Sequence, residues 1–120
     1  MTHHQGSCHC GAVTFEVQGT IEKAMVCDCS ICKRKSALMS AVSPENFNLK
    51  SGAENLTLYQ FNTMAARHYF CKTCGIYTHH KRRRDDMIGF NTGCLDDFDK
   101  TQLDEIIEVP GSSFSVVGED

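Results

Sequence analysis

The chain has 120 residues, 41% of them hydrophobic, with no Trp and a formal net charge of -3. That length fits one domain around a single modest core, spanning residues 1–120, and argues against a second. No apolar run approaches the ~20 residues that a membrane-spanning helix needs, so a soluble globular protein is expected.

Met1–Gly6 lacks the basic flank and apolar stretch of a signal peptide, which predicts a cytoplasmic location. In such a reducing compartment clustered cysteines bind metal or do redox chemistry more often than they form disulfides, so the eight cysteines carry information. Cys8-His9-Cys10 comes first. Read as an extended segment at the start of a strand, it turns both sulfurs to one side and His9 to the other.

Val13, Phe15 and Val17 alternate with polar residues up to Gly19 and predict a half-buried strand. Further strands are expected at Lys23–Val26, Ala37–Val42, Asn55–Phe61, Arg67–Phe70, Ile76–Thr78, Met87–Asn91 and Ile106–Val109. Short strands broken by turn residues predict a compact, mainly β fold of antiparallel sheets. Helix is sparse: Ser43–Asn46, with Pro44 at its first position, predicts one turn, and Asp99–Leu103 another. Asn62–Ala66 reads as a hairpin leading into Cys71, whereas Gly111–Asp120 shows no clear element.

Charge is uneven. From Asp96 onward eight acidic residues face Lys100 alone, leaving the front of the chain mildly basic. Its densest stretch, Lys81–Arg84, could touch phosphates, but Asp85 and Asp86 follow at once and a solvated loop is the stronger reading. Nucleic acid is therefore not the expected partner.

Seven cysteines fall into three groups: Cys8 and Cys10; Cys27, Cys29 and Cys32; and Cys71 and Cys74. Cys71-Lys72-Thr73-Cys74-Gly75 is a knuckle that turns two thiolates to one centre, with glycine allowing the bend. Neither outer pair alone fills the four positions zinc prefers. Cys8, Cys10, Cys71 and Cys74 together would complete a tetrahedral structural site that clamps the N-terminal strand to the later hairpin.

The middle group offers three thiolates from one short loop. Three ligands leave a position open for water or substrate, as catalytic zinc requires. Two other readings remain: a closed site whose fourth ligand is Cys94, His79, His80 or His68, or a redox pair of Cys29 and Cys32. Cys94 reads better as a small buried side chain, and His79 and His80 as surface or supporting residues.

Gly6-Ser7-Cys8-His9-Cys10-Gly11-Ala12-Val13, Cys27-Asp28-Cys29-Ser30-Ile31-Cys32-Lys33, Phe70–Gly75 and the stretch Asn91–Asp97 together resemble the glutathione-dependent formaldehyde-activating enzyme family, which includes centromere protein V relatives. The resemblance covers about residues 6–97. It implies a beta-tent fold in which Cys8, Cys10, Cys71 and Cys74 hold a structural zinc while Cys27, Cys29 and Cys32 hold a catalytic one. It also implies reversible addition of glutathione to formaldehyde, with a nearby donor to protonate the alkoxide; Ser30, Asn91 or an ordered water could supply hydrogen bonds there. Asp28 stands where relatives often carry His, and Ile76-Tyr77 where many carry a small residue and Pro.

The expected activity is thus a zinc-dependent carbon-sulfur lyase or synthase. Lys33, Arg34 and Lys35 after the thiolate loop could meet an anionic tripeptide, or form an exposed charged turn. Two alternatives stand beside this: a non-catalytic, zinc-stabilised module binding protein or nucleic acid through Lys81–Arg84, and a thiol redox protein using Cys29 and Cys32.

Overall fold

The computed structural model describes residues 3–21, 23–27, 30–61, 64–82, 85–96, 98 and 105–109; at positions 23, 27, 30, 32, 105 and 107–109 it describes the backbone alone. Among the described residues, ten strands form two sheets. The smaller is antiparallel, in the order β1 (His3–Ser7), β2 (Thr14–Gln18) and β5 (Phe47–Ser51). The larger runs β10 (Glu105–Val109), β3 (Lys23–Cys27), β4 (Met39–Val42), β9 (Ile88–Asn91), β8 (Tyr77–Lys81), β7 (Arg67–Cys71) and β6 (Leu56–Tyr59).

The fold is mainly β, with few helical turns, as expected. All pairs of the large sheet are antiparallel except β10 on β3, which is parallel and departs from that expectation. A parallel partner needs a long return path, and the chain between β9 and β10 supplies one. β6 and β7 pair as a hairpin, as the sequence predicts. The single turn at Pro44–Asn46 also forms, with Pro at its start. The turn expected at Asp99–Leu103 lies outside the described residues.

Among the elements unannounced in the sequence are β1, β5 and the short helix α1 (Ser30–Lys35). β5 alternates only weakly, with no fully buried position, and α1 is too short to show a helical period.

The core lies between the sheets. Phe15 and Val17, the apolar face predicted for β2, are fully buried and pack with Phe90 of β9, Cys94 and Leu95. Burial of each large side chain contributes roughly 1.5–3 kcal/mol. Phe47 stacks on Phe15 at 5.1 Å and reaches His79 at 4.8 Å, carrying the contact from β5 to β8. The edge of β1 is tied down as well: Gly6 bridges Leu95, and the Asp96 amide donates to the Gln5 carbonyl at 2.8 Å. Through these contacts the N-terminal segment is held beside the Cys71 knuckle.

Candidate metal centre

Cys8 and Cys10 sit in the turn that joins β1 to β2, not in an extended strand as the sequence reading has it. The Cys8 amide donates to the Val13 carbonyl at 3.0 Å and the Gly11 amide to the Cys8 carbonyl at 3.3 Å, closing the chain into a loop. The tighter backbone brings sulfurs two residues apart together by curvature, while His9 stays exposed.

The second pair forms the expected knuckle. The Gly75 amide donates to the Cys71 carbonyl at 2.8 Å, with Gly75 at φ 79°, a left-handed conformation that a side chain would strain. The Cys71 amide donates to Ile76 across the turn at 3.0 Å.

The sulfur atoms of Cys8, Cys10, Cys71 and Cys74 all lie within 4.8 Å of one another. Cys8 to Cys10 and Cys10 to Cys71 are each 3.7 Å. A disulfide needs about 2.05 Å, so these are free thiols. Zinc–sulfur bonds of about 2.3 Å arranged tetrahedrally put sulfurs about 3.8 Å apart, so donor type and spacing both suit one such ion. The cluster is able to bind a metal.

Its surroundings favour thiolates. The Val13 and Cys74 amides donate to the sulfurs of Cys8 and Cys71 at 3.3 and 3.5 Å, and the Asn55 side-chain amide donates to Cys71 at 3.2 Å. The Cys74 amide is the largest influence lowering Cys71 to about 6, with Thr73 and Cys10 adding to it against desolvation. Cys74 is lowered too, chiefly by backbone donors at Cys10 and Ile76. At Cys10 the Ala12 amide favours the thiolate, but desolvation and the neighbouring thiols outweigh it and push the group up to about 11. Four crowded sulfurs without a cation share protons unequally, and a bound dication removes that conflict.

Asn55 is a supporting residue the sequence reading missed. It stands at the end of the Ala53–Asn55 turn, donates also to Thr73 Oγ1 at 3.0 Å and accepts from the Lys72 amide at its carbonyl at 2.9 Å. No sequence signal marks it, because its partners are 16 to 18 residues away.

In the middle group, Cys27 ends β3 and Cys32 lies within α1, so these cysteines come from a strand end and a helix and not from a single loop. Their side chains, and Asp28 and Cys29, lie outside the described residues. Three of the four candidate extra ligands are engaged elsewhere. Cys94 is buried and donates to the Tyr77 carbonyl at 3.8 Å, and burial pushes it up to about 11. His79 contacts Thr78 Oγ1 at 2.8 Å and stacks on Tyr69, and His68 Nδ1 meets the Tyr77 hydroxyl at 2.7 Å.

His79 and His80 are not surface residues. β8 is an inner strand of the large sheet, and burial lowers His79 to about 4 and His80, with help from Lys35, to about 2. His80 Nδ1 is buried without a hydrogen-bond partner. Asn91 has both ends of its amide committed to backbone, at Tyr77 and Gly93. Lys33 and Arg34 are exposed, but Lys35 folds back over the Tyr77 ring, 3.8 Å from its centre. In the basic run Arg82 pairs with Asp85 at 3.2 Å, and 83–84 lie outside the described residues.

Residues 3–109 match the family model described as "Glutathione-dependent formaldehyde-activating enzyme". A crystal structure of a Rhodobacter sphaeroides protein is similar at 44% sequence identity with a TM-score of 0.81, over 88% of this chain and 99% of that one.

Proposed function

We propose that this chain, which belongs to the glutathione-dependent formaldehyde-activating enzyme family, is a zinc-dependent carbon-sulfur lyase or synthase that reversibly joins a thiol to an aldehyde. Glutathione and formaldehyde are the proposed pair, giving S-(hydroxymethyl)glutathione in the cytoplasm. The family match over residues 3–109, which contain all seven clustered cysteines, carries this reading.

Cys8, Cys10, Cys71 and Cys74 would hold a structural zinc, the role that their mutual spacing within 4.8 Å supports. Cys27, Cys29 and Cys32 would hold a second. There a bound zinc supplies the positive charge that ionises a thiol at neutral pH. A depression of about 550 Å³ lined by Lys35, Leu38, Asn91, Thr92 and Phe98 lies at the C-terminal end of α1, the helix that carries Cys32. That volume lies in the range of small-molecule sites.

The test is exchange of ¹³C-formaldehyde with its glutathione adduct, followed by NMR on the zinc-loaded protein. Cys29→Ser should abolish the catalysed exchange and leave the fold intact. Unfolding of Cys29→Ser would remove the division into structural and catalytic groups.

A further inference from the structure

The four sulfurs of the junction differ in their access to solvent. Cys8 is 3% and Cys71 0% exposed, Cys74 is half-buried, and Cys10 is exposed. Cys10 Sγ is also shared by two close contacts, lying 3.7 Å from the sulfur of Cys8 and 3.7 Å from that of Cys71. Those two partners are held from within the protein. The Val13 amide donates to the Cys8 sulfur, and the Cys74 amide and the Asn55 side chain donate to that of Cys71. The most accessible thiol therefore touches two that are closed to solvent.

A disulfide at either contact requires the sulfurs to close from 3.7 Å to about 2.05 Å. The consequences differ. Cys8 and Cys10 are two residues apart in one turn, so a bond between them constrains almost none of the unfolded chain. Cys10 and Cys71 are 61 residues apart, one in the β1–β2 turn and the other at the end of β7. A bond there joins the same two segments that the four sulfurs bring together. It also closes a long loop, which stabilises the folded chain more than a short one does. Disulfides that exchange with free thiols isomerise toward the more stable pairing, here the one across the two segments.

We propose that Cys10 and Cys71 form a thiol–disulfide switch: a small-molecule disulfide enters at Cys10, and a Cys10–Cys71 bond replaces the metal as the clamp between the β1–β2 turn and the knuckle. This needs the four-sulfur junction and not the thiol–aldehyde reaction. A bound ion keeps the four sulfurs as thiolates. The Cys10 thiolate attacks one sulfur of the small disulfide, whose S–S bond breaks and whose other half leaves as a thiolate. The Cys71 thiolate then attacks the Cys10 sulfur, the mixed disulfide breaks, and the second half leaves as a thiolate. The two cysteines give up two electrons, the small disulfide takes both, and no proton is gained or lost. Cys8 and Cys74 remain as two donors where zinc prefers four, so metal affinity falls. Excess thiol runs both steps backwards and restores the site.

The experiment uses the zinc-loaded full chain with oxidised glutathione as the probe. Peptide mapping should find Cys10–Cys71 as the main disulfide among the four junction cysteines. The oxidised, metal-free chain should keep a cooperative thermal melt, whereas unoxidised chain stripped by a strong chelator should lose it. Dithiothreitol with added zinc should return the oxidised chain to its starting state. A second readout needs no oxidant: during limited alkylation of the loaded chain, Cys10 should be modified about 10-fold or more faster than Cys8 or Cys71.

A main disulfide at Cys8–Cys10 or Cys71–Cys74, or oxidation confined to Cys27, Cys29 and Cys32, overturns the proposal. So does a Cys10–Cys71 bond in a chain that no longer melts cooperatively, because the bond then fails as a clamp. A cooperative melt in the stripped, unoxidised chain overturns it too, since no clamp is then required. Equal alkylation of Cys8, Cys10 and Cys71 removes Cys10 as the point of entry. None of these outcomes touches the exchange of formaldehyde with its glutathione adduct, so the two proposals fail separately.

Discussion

The four-sulfur junction and the Tyr77 cluster are neighbours in the chain, since Cys71 ends β7 and Tyr77 opens β8. They are built in different ways. Each sulfur ligand sits in or beside a turn closed by backbone hydrogen bonds, with further amides aimed at sulfur. Tyr77, His68, His80 and Lys35 meet mainly through side chains, on a strand bent by one extra residue. A centre fixed by its backbone suits an ion that holds two sheets together. One fixed by side chains can be altered a residue at a time, because changing a side chain there leaves the backbone ladder intact.

The largest expected effect lies at the junction. Cys8→Ser should abolish tight metal binding and cooperative unfolding together, since metal affinity in such small domains is largely folding free energy. Metal analysis and thermal melting check this. A well-folded, metal-free Cys8→Ser would break the comparison at its strongest point.

Next is acid sensitivity on β8. The fold keeps His79 and His80 neutral, while the unfolded chain takes up protons below about pH 6.5. Stability from this source is complete above that pH and falls as pH drops, until about 4 for His79 and about 2 for His80. Each histidine contributes up to about 1.4 kcal/mol per pH unit within its window. Urea melts across pH 5–7 should be flatter in His80→Gln than in the parent, and equal slopes would count against a neutral buried ring.

Gly89→Ala should cost about 1–3 kcal/mol by forcing a methyl against the His80 ring, and should shift the His80 resonances. If stability holds and the resonances stay put, His80 has more room than the structure gives it. The smallest effect belongs to Asn55. Removing its amide in Asn55→Ala should weaken metal affinity at the junction about 10-fold, measured by competition with a chromophoric chelator, with about 1 kcal/mol lost in stability. Unchanged affinity would show that the backbone amides suffice.

Much of the fold was legible because local pattern and long-range packing agree. The Val13, Phe15 and Val17 alternation marks the buried face of β2, and the Cys71–Gly75 knuckle carries its own bend signal in glycine. β5 was not legible, since its strand pairing with β2 supplies an order that its composition does not announce. Nor was the curvature at Cys8–Cys10: the spacing allows either a strand or a turn, and the hydrogen bond to Val13 selects the turn.

By itself, the sequence determined the family, the mainly β character and the four cysteines of the junction, because thiol donors at short spacing are a chemical signal that survives without coordinates. Tertiary structure decided what surrounds them. It buried His79 and His80 inside a sheet, committed Asn91 to the backbone, and set Lys35 over Tyr77. Strand order and the bulge at Thr78 bring together residues that no local pattern links, and a side chain's environment is fixed by those distant neighbours.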